Sequence, residues 1–127
     1  MRTYKIYGAD GGSPTNNLAN VSVQKTGRIR NLRWSVRADL DADLEVAIFE
    51  LSMSSAHQAT TNDTPAVIDK VQLALNFTTS GASMGAQNIT RENMDFPVAG
   101  GEKIYLHTTG AGTPSMTGTC FIDVEEK

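Results

Sequence analysis

Hydrophobic and polar positions alternate with a period of two along most of the chain, the pattern of strands that bury one face. It is clearest between residues 27 and 54. Leu32, Trp34, Val36 and Ala38 fall on one face, and Arg33, Ser35 and Arg37 on the other. Ile29 is flanked by Arg28 and Arg30, but Asn31 breaks the phase, which predicts a β-bulge at that point. The stretch 44–53 is apolar on both faces through Val46, Ala47, Ile48 and Phe49, as in a strand covered on both sides near the middle of a sandwich. Asp39, Leu40, Asp41, Ala42 and Asp43 read as a tight acidic turn that joins the two strands into a central hairpin. Trp34, the only Trp, is predicted to anchor the core.

The rest of the chain extends this reading. Tyr4 and Ile6 alternate with Lys5 and Tyr7, an expected edge strand. Residues 8–17 are turn chemistry, rich in Gly and Asn with one Pro, and residues 1–17 are expected to form an N-terminal arm. Val21 and Val23 mark a short strand. Residues 54–65 form a polar loop long enough to be functional. Val67, Val71 and Ala74 also fit a helix. The strict alternation of Val71, Leu73, Leu75 and Phe77, with its aromatic ending, favours a strand. Residues 80–85 read as a flexible turn. An irregular strand over 87–96 turns Ile89, Met94 and Phe96 inward. Ile104 and Leu106 oppose Tyr105 and His107, and Cys120, Ile122 and Val124 share a face near the end. About eight strands separated by turn signals predict an all-β chain. The expected fold is a single-domain antiparallel two-sheet β-sandwich over residues 1–127, jelly-roll-like in its connections.

Composition narrows the function. At 127 residues, 39% hydrophobic and 20% charged, the chain suits one domain with one core. A net charge of −3 gives no general steering toward nucleic acid or membrane, and neither is expected as a partner. No run of 18 apolar residues occurs, and MRTYKIYGADGG lacks the apolar segment of a secretory signal. The lone Cys120 cannot form an intrachain disulfide, so folding in a cytosol is expected. The four N-x-Ser/Thr sequons, at Asn20, Asn62, Asn76 and Asn88, read as by-products of an Asn/Thr-rich β composition.

Candidate chemistry is sparse. Asp39, Asp41, Asp43 and Glu50 match part of a calcium-loop spacing, but Leu44 stands where the sharp turn needs Gly, and strands rather than helices flank it. A solvated acidic turn is the plainer reading, with a calcium loop of another kind as the alternative. Arg28, Arg30, Arg33 and Arg37 line one edge of the central strand as a cationic stripe. Guanidinium groups bind carboxylates bidentately, so an acidic protein partner is one reading. The other is an exposed face paired with acids such as Glu45 and Glu50. His57 and His107 are the only histidines, expected at or near the surface, and with one Cys they cannot assemble a zinc set. No G-x-S-x-G turn marks an activated serine. No catalytic, cofactor-binding or metal-binding residue is predicted, and the chain is not expected to be an enzyme. Cys120 reads as a small buried hydrophobe.

The segments FPVAGGEKIYLH (96–107) and GTCFIDV (118–124) resemble the strand entry and closing strand of small jelly-roll proteins of tailed bacteriophage virions, in particular the capsid decoration or cement proteins. That resemblance implies a homotrimer made in the host cytoplasm and placed on the capsid exterior. There it would bind the major capsid protein and bridge neighbouring subunits. The contact residues expected on this reading are Arg2, Tyr4 and Tyr7 of the arm, Arg28, Arg30, Arg33 and Arg37 of the stripe, and His57 of the long loop. The alternative is a tail- or fibre-associated module that binds a cell-surface glycan, with Tyr4, Tyr7 and Tyr105 stacking on sugars.

Overall fold

The computed structural model describes residues 1–10, 15–40, 46–54, 67–74, 83–111 and 115–127. Among the described residues nine strands are present: β1 (Arg2–Asp10), β2 (Thr15–Ser22), β3 (Gly27–Leu40), β4 (Val46–Ser52), β5 (Val67–Ala74), β6 (Ser83–Arg91), β7 (Phe96–Val98), β8 (Lys103–Ala111) and β9 (Ser115–Glu126). Sheet A runs β1-β9-β3-β6, with β7 also paired to β3, and sheet B runs β2-β8-β4-β5.

Set β7 aside and the eight longer strands form four antiparallel pairs, β1 with β9, β2 with β8, β3 with β6 and β4 with β5. These are the rungs of one long ribbon folded back on itself. Alternate rungs go to alternate sheets: β9 joins β3 within sheet A, and β8 joins β4 within sheet B. A rolled ribbon of this kind is the jelly-roll arrangement, so the expected sandwich is present. The ninth strand is the short β7. Residues 87–96, expected as one irregular strand, divide at Asn93, whose φ of 57° breaks the extended run. Asn tolerates that left-handed conformation. The Met94 N–H then donates to the Arg30 carbonyl at 2.9 Å, which lets β7 continue beside β3. β6 begins at Ser83, inside the stretch expected to be a turn.

The alternating residues fill the space between the sheets. Tyr4, Ile6, Ile29, Leu32, Trp34, Val36, Cys120, Ile122 and Val124 from sheet A meet Phe49, Leu51, Val71, Leu73, Ile104 and Leu106 from sheet B in one buried cluster. Each fully buried aliphatic or aromatic side chain contributes about 1.5–3 kcal/mol relative to exposure. The bulge lies where Asn31 predicted it. Ile29 pairs with Val124 but Asn31 pairs with Asp123, so Arg30 is the extra residue. The bulge lets Ile29 and Leu32 both point inward although they are three apart. Gly101, with φ of 94°, permits the turn from β7 to β8, in which Glu102 N–H donates to the Ala99 carbonyl at 3.1 Å.

One polar link crosses the core. Trp34 is 2% exposed, and its Nε1–H donates to Asp69 Oδ2 on β5 at 2.9 Å. Arg91 Nε, on β6, donates to the same oxygen at 3.0 Å. Asp69 therefore ties sheet B to two strands of sheet A and satisfies the donor of a buried indole.

Two expectations change. β3 and β4 do not form a hairpin: β3 belongs to sheet A and β4 to sheet B. β4 lies between β8 and β5, with Ala47, Phe49 and Leu51 buried on its inner face, Glu50 and Ser52 buried on its outer face and Ile48 half-buried there. The first ten residues are not an arm. β1 pairs with β9 over nine consecutive positions, and Tyr4 and Ile6 reach the core. A strand that buries two large side chains is part of the folding unit.

Candidate interaction surface

The outer face of sheet A carries most of the residues expected to make contacts. Because the strands are in register, its outward side chains fall in rows. Lys5, Phe121, Arg33 and Thr90 form one row across β1, β9, β3 and β6. Tyr7, Thr119, Ser35 and Asn88 form the next, and Ala9, Thr117, Arg37 and Ala86 the one after. Tyr7 is 54% exposed, the largest exposed aromatic surface among the described residues. Beside it in its own row the side chains are short and uncharged, and Lys5 and Phe121 stand in the adjacent row.

The arginine stripe is compensated within the sheet. Asp95 Oδ1 accepts from Arg28 Nη1 at 3.0 Å and from Arg30 Nη1 at 2.9 Å. Glu125 Oε1 accepts from Arg30 Nη2 at 2.9 Å and from its Nε at 3.3 Å, the two-pronged geometry of a strong guanidinium–carboxylate pair. Arg33 Nη2 donates to Asp123 Oδ1 at 3.2 Å, and its guanidinium lies 5.2 Å from the centre of the Phe121 ring. Thr3 Oγ1–H donates to that same Asp123 oxygen at 2.6 Å, so one carboxylate joins β1, β9 and β3. Three arginines thus meet three carboxylates, and their charges cancel. Arg2, at the start of β1, pairs with Glu126 at 2.6 Å. The hydrogen bond to Glu126 holds the Arg2 guanidinium above its ordinary pKa, and the one to Glu125 does the same for Arg30.

The outer face of sheet B is built differently. Glu50 and Ser52 alternate with Phe49 and Leu51, so they point away from the core, yet both are fully buried. Strand register places His107, Glu50 and Lys70 in one row across β8, β4 and β5. Lys70 Nζ lies 3.3 Å from Glu50 Oε1. His107 is fully buried as well, and its Nε2 lies 2.7 Å from the Ser54 carbonyl oxygen. A carbonyl can only accept, so Nε2 carries the proton. The Tyr105 ring stacks beside His107, with centroids 6.1 Å apart and planes 7° from parallel. Ser52 Oγ accepts the Ser54 N–H at 2.9 Å, which turns the chain sharply after β4. In this row Glu50 and His107 are fully buried and Lys70 partly so, with Glu50 and Lys70 paired inside it. Such a polar row specifies how strands pair.

The sequence-predicted residues therefore divide. Arg28, Arg30, Arg33, Arg37 and Tyr7 share the outer face of sheet A. Tyr4 does not: it is 6% exposed, and its hydroxyl oxygen accepts the Gln24 N–H at 2.9 Å. It is a core residue with its polar tip satisfied. With Tyr4 buried and Tyr105 against His107, the three tyrosines do not form one stacking platform. The acids that meet the stripe are Asp95, Asp123 and Glu125. Glu50 pairs with Lys70 on the other sheet, and Glu45 lies outside the described residues. His57, the long loop after Ser54 and the acidic segment 41–45 also lie outside them. His107 is fully buried, where a surface or partly buried position was expected. Cys120 is fully buried, as expected, and burial pushes its thiol pKa up. Among the described residues no group of three or more His, Cys, Asp or Glu side chains is placed to hold a metal ion.

No family model matches the chain, and no curated protein sequence matches it. Solved structures of similar fold exist. Over 98% of this chain and 87% of its own length, the Eiger TNF of S. frugiperda superposes with a TM-score of 0.50 at 9% identity. The VP2 subviral particle of infectious bursal disease virus gives a TM-score of 0.49 at 13% identity, and the T13 particle of the same virus 0.47 at 11%. This chain spans about a third of those viral chains, 33% and 31% of their lengths. At these identities the likeness to the Eiger chain concerns the fold alone, and it agrees with the rolled-ribbon topology.

Proposed function

We propose that this chain is a virion structural protein that seats on the outside of an assembled capsid and stabilises it by bridging neighbouring subunits. The observation that carries the reading is the jelly-roll ribbon itself, with all four of its strand pairs present. Capsid domains are among the proteins built on that ribbon, so the reading is an analogy at the level of fold. The surface supports it. A flat face whose arginines and acids cancel, with Tyr7 raised among Ser35, Asn88 and Thr119, suits docking against another protein: interface cores favour Tyr and exclude unpaired charge. On this reading the partner is the major capsid protein.

The mechanism is binding linkage. A protein that binds the assembled shell but not its free subunits stabilises the shell by mass action, by about 2.7 kcal/mol per site at a free concentration one hundred times the dissociation constant. Many copies acting together would oppose the pressure of packaged nucleic acid. The deciding experiment bands a lysate of the source on a density gradient and measures the copies of this chain per particle. Co-migration with filled particles at hundreds of copies is the expected result. A handful of copies would move the protein to a tail or neck, and absence from particles would overturn the reading.

A further inference from the structure

The two sheets have four edges, β1 and β6 in sheet A and β2 and β5 in sheet B. An edge strand presents unpaired backbone N–H and C=O groups, and proteins guard such edges with charge, bulges, proline or a covering element. Three of the four are guarded. β1 carries the exposed Lys5 and lies against β2. β2 shifts register between Thr15 and Ala19. β5 bulges at Ile68, since Ser52 pairs with Val67 but Leu51 pairs with Asp69, and it also carries Lys70.

Among the described residues β6 has no bulge, lysine or proline, and its charge is confined to Arg91 at the end that meets β5. It pairs with β3 over nine consecutive positions, from Arg91 opposite Leu32 to Ser83 opposite Leu40, without a register shift. Its sequence, SMGAQNITR, holds no Lys and no Pro. Its one charged residue, Arg91, is tied to Asp69 and to the Lys70 carbonyl at the far end. Ala86, Gln87, Asn88 and Thr90 are exposed, and no described residue pairs with their outer edge.

We propose that this edge is a pairing site for β6 of a second copy, joined antiparallel about a two-fold axis through Gln87. The choice of occupant rests on self-complementarity. Pairing over all nine positions sets Gln87 against Gln87, Ala86 against Asn88, Gly85 against Ile89, Met84 against Thr90 and Ser83 against Arg91. No charge meets a like charge, which in cross-strand pairs is the main penalty. The same operation satisfies the outer edges of both strands at once and fuses the two copies of sheet A into one continuous sheet, a closed isologous contact. The proposal is independent of where the protein acts, since capsid binding is read separately.

The test measures the mass of the full chain by sedimentation velocity from about 1 µM to about 1 mM. The wild-type chain is expected to form dimers over that range. Ala86→Lys with Asn88→Lys sets two pairs of lysines face to face and should weaken dimerisation roughly tenfold or more, while the fold is kept and the melting temperature falls only slightly, both side chains being exposed and position 86 standing opposite Arg37 within its own copy. The matching Ala86→Glu with Asn88→Glu should do the same. Mixing the two variants should restore dimers, each Lys now facing a Glu. A wild-type monomer at the highest concentration would overturn the proposal. So would lysine variants that associate as the wild type does, or a mixture that stays monomeric.

Discussion

Removing the Asp69 carboxylate tests how the two sheets are joined. In Asp69→Ala, the Trp34 indole N–H loses its acceptor at a position 2% exposed. A buried donor left without a partner costs about 1–3 kcal/mol. The lost ion pair to Arg91 adds little, about 0–1 kcal/mol, because the Arg91 side chain is 42% exposed and screened by water. The sum is about 1–4 kcal/mol. With an unfolding entropy of about 2.1 cal/mol/K per residue, that lowers the melting temperature by about 4–15 °C. Asp69→Asn keeps an acceptor for the indole and should cost under about 1 kcal/mol. Trp34→Phe removes the donor instead. In that background Asp69→Ala should cost only the ion-pair part, so the double-mutant cycle should give a coupling of about 1–3 kcal/mol. Urea unfolding followed by far-ultraviolet circular dichroism reads all four proteins, since Trp34 is the only tryptophan and two variants lack it. Equal costs of Asp69→Ala in the two backgrounds would refute the reasoning and leave the hydrogen bond without energetic weight.

Two further outcomes follow from packing and burial. A Cβ on Gly118 would stand 2.8 Å from Phe49 Cδ1, and the ring is fully buried, so Gly118→Ala should lower stability by about 1–3 kcal/mol; an unchanged urea midpoint would mean the ring can yield. Burial raises the Cys120 thiol pKa in the folded chain, while the unfolded thiol titrates near about 8.5. The folded state therefore holds its proton more tightly, so the thiol's contribution is complete below about 8.5 and falls by up to about 1.4 kcal/mol per pH unit above it. Cys120→Ala should flatten the alkaline arm of a stability–pH curve relative to wild type, and identical slopes would contradict this.

How much was legible in the chain depends on the range of the physics. The inward sets Leu32–Trp34–Val36, Ile104–Leu106 and Cys120–Ile122–Val124 could be read directly, because the two faces of a strand are set by local geometry and each solvent-avoiding residue declares its face. The bulge beside Asn31 was legible for the same reason: a slip in phase is a local event. The positions of β7 and of the start of β6 were less clear, since Asn93 and the Gly-rich stretch allow either a turn or a strand.

Partnership was decided by the tertiary structure. Nothing in residues 27–54 distinguishes a hairpin from two strands in opposite sheets, and only the rolled ribbon sends β3 to β9 and β4 to β8. The arginine stripe was visible in the sequence. Its partners, Asp95, Asp123 and Glu125, lie 65 to 95 residues away and come alongside only when β9 and β7 flank β3. The row of His107, Glu50 and Lys70, its first two members fully buried, has the same origin, as does the place of β6 at the end of its sheet among the described strands. Side-chain alternation is a property of one strand, whereas charge compensation, burial of an outward face and exposure of an edge are properties of strand neighbours, which long-range pairing alone sets.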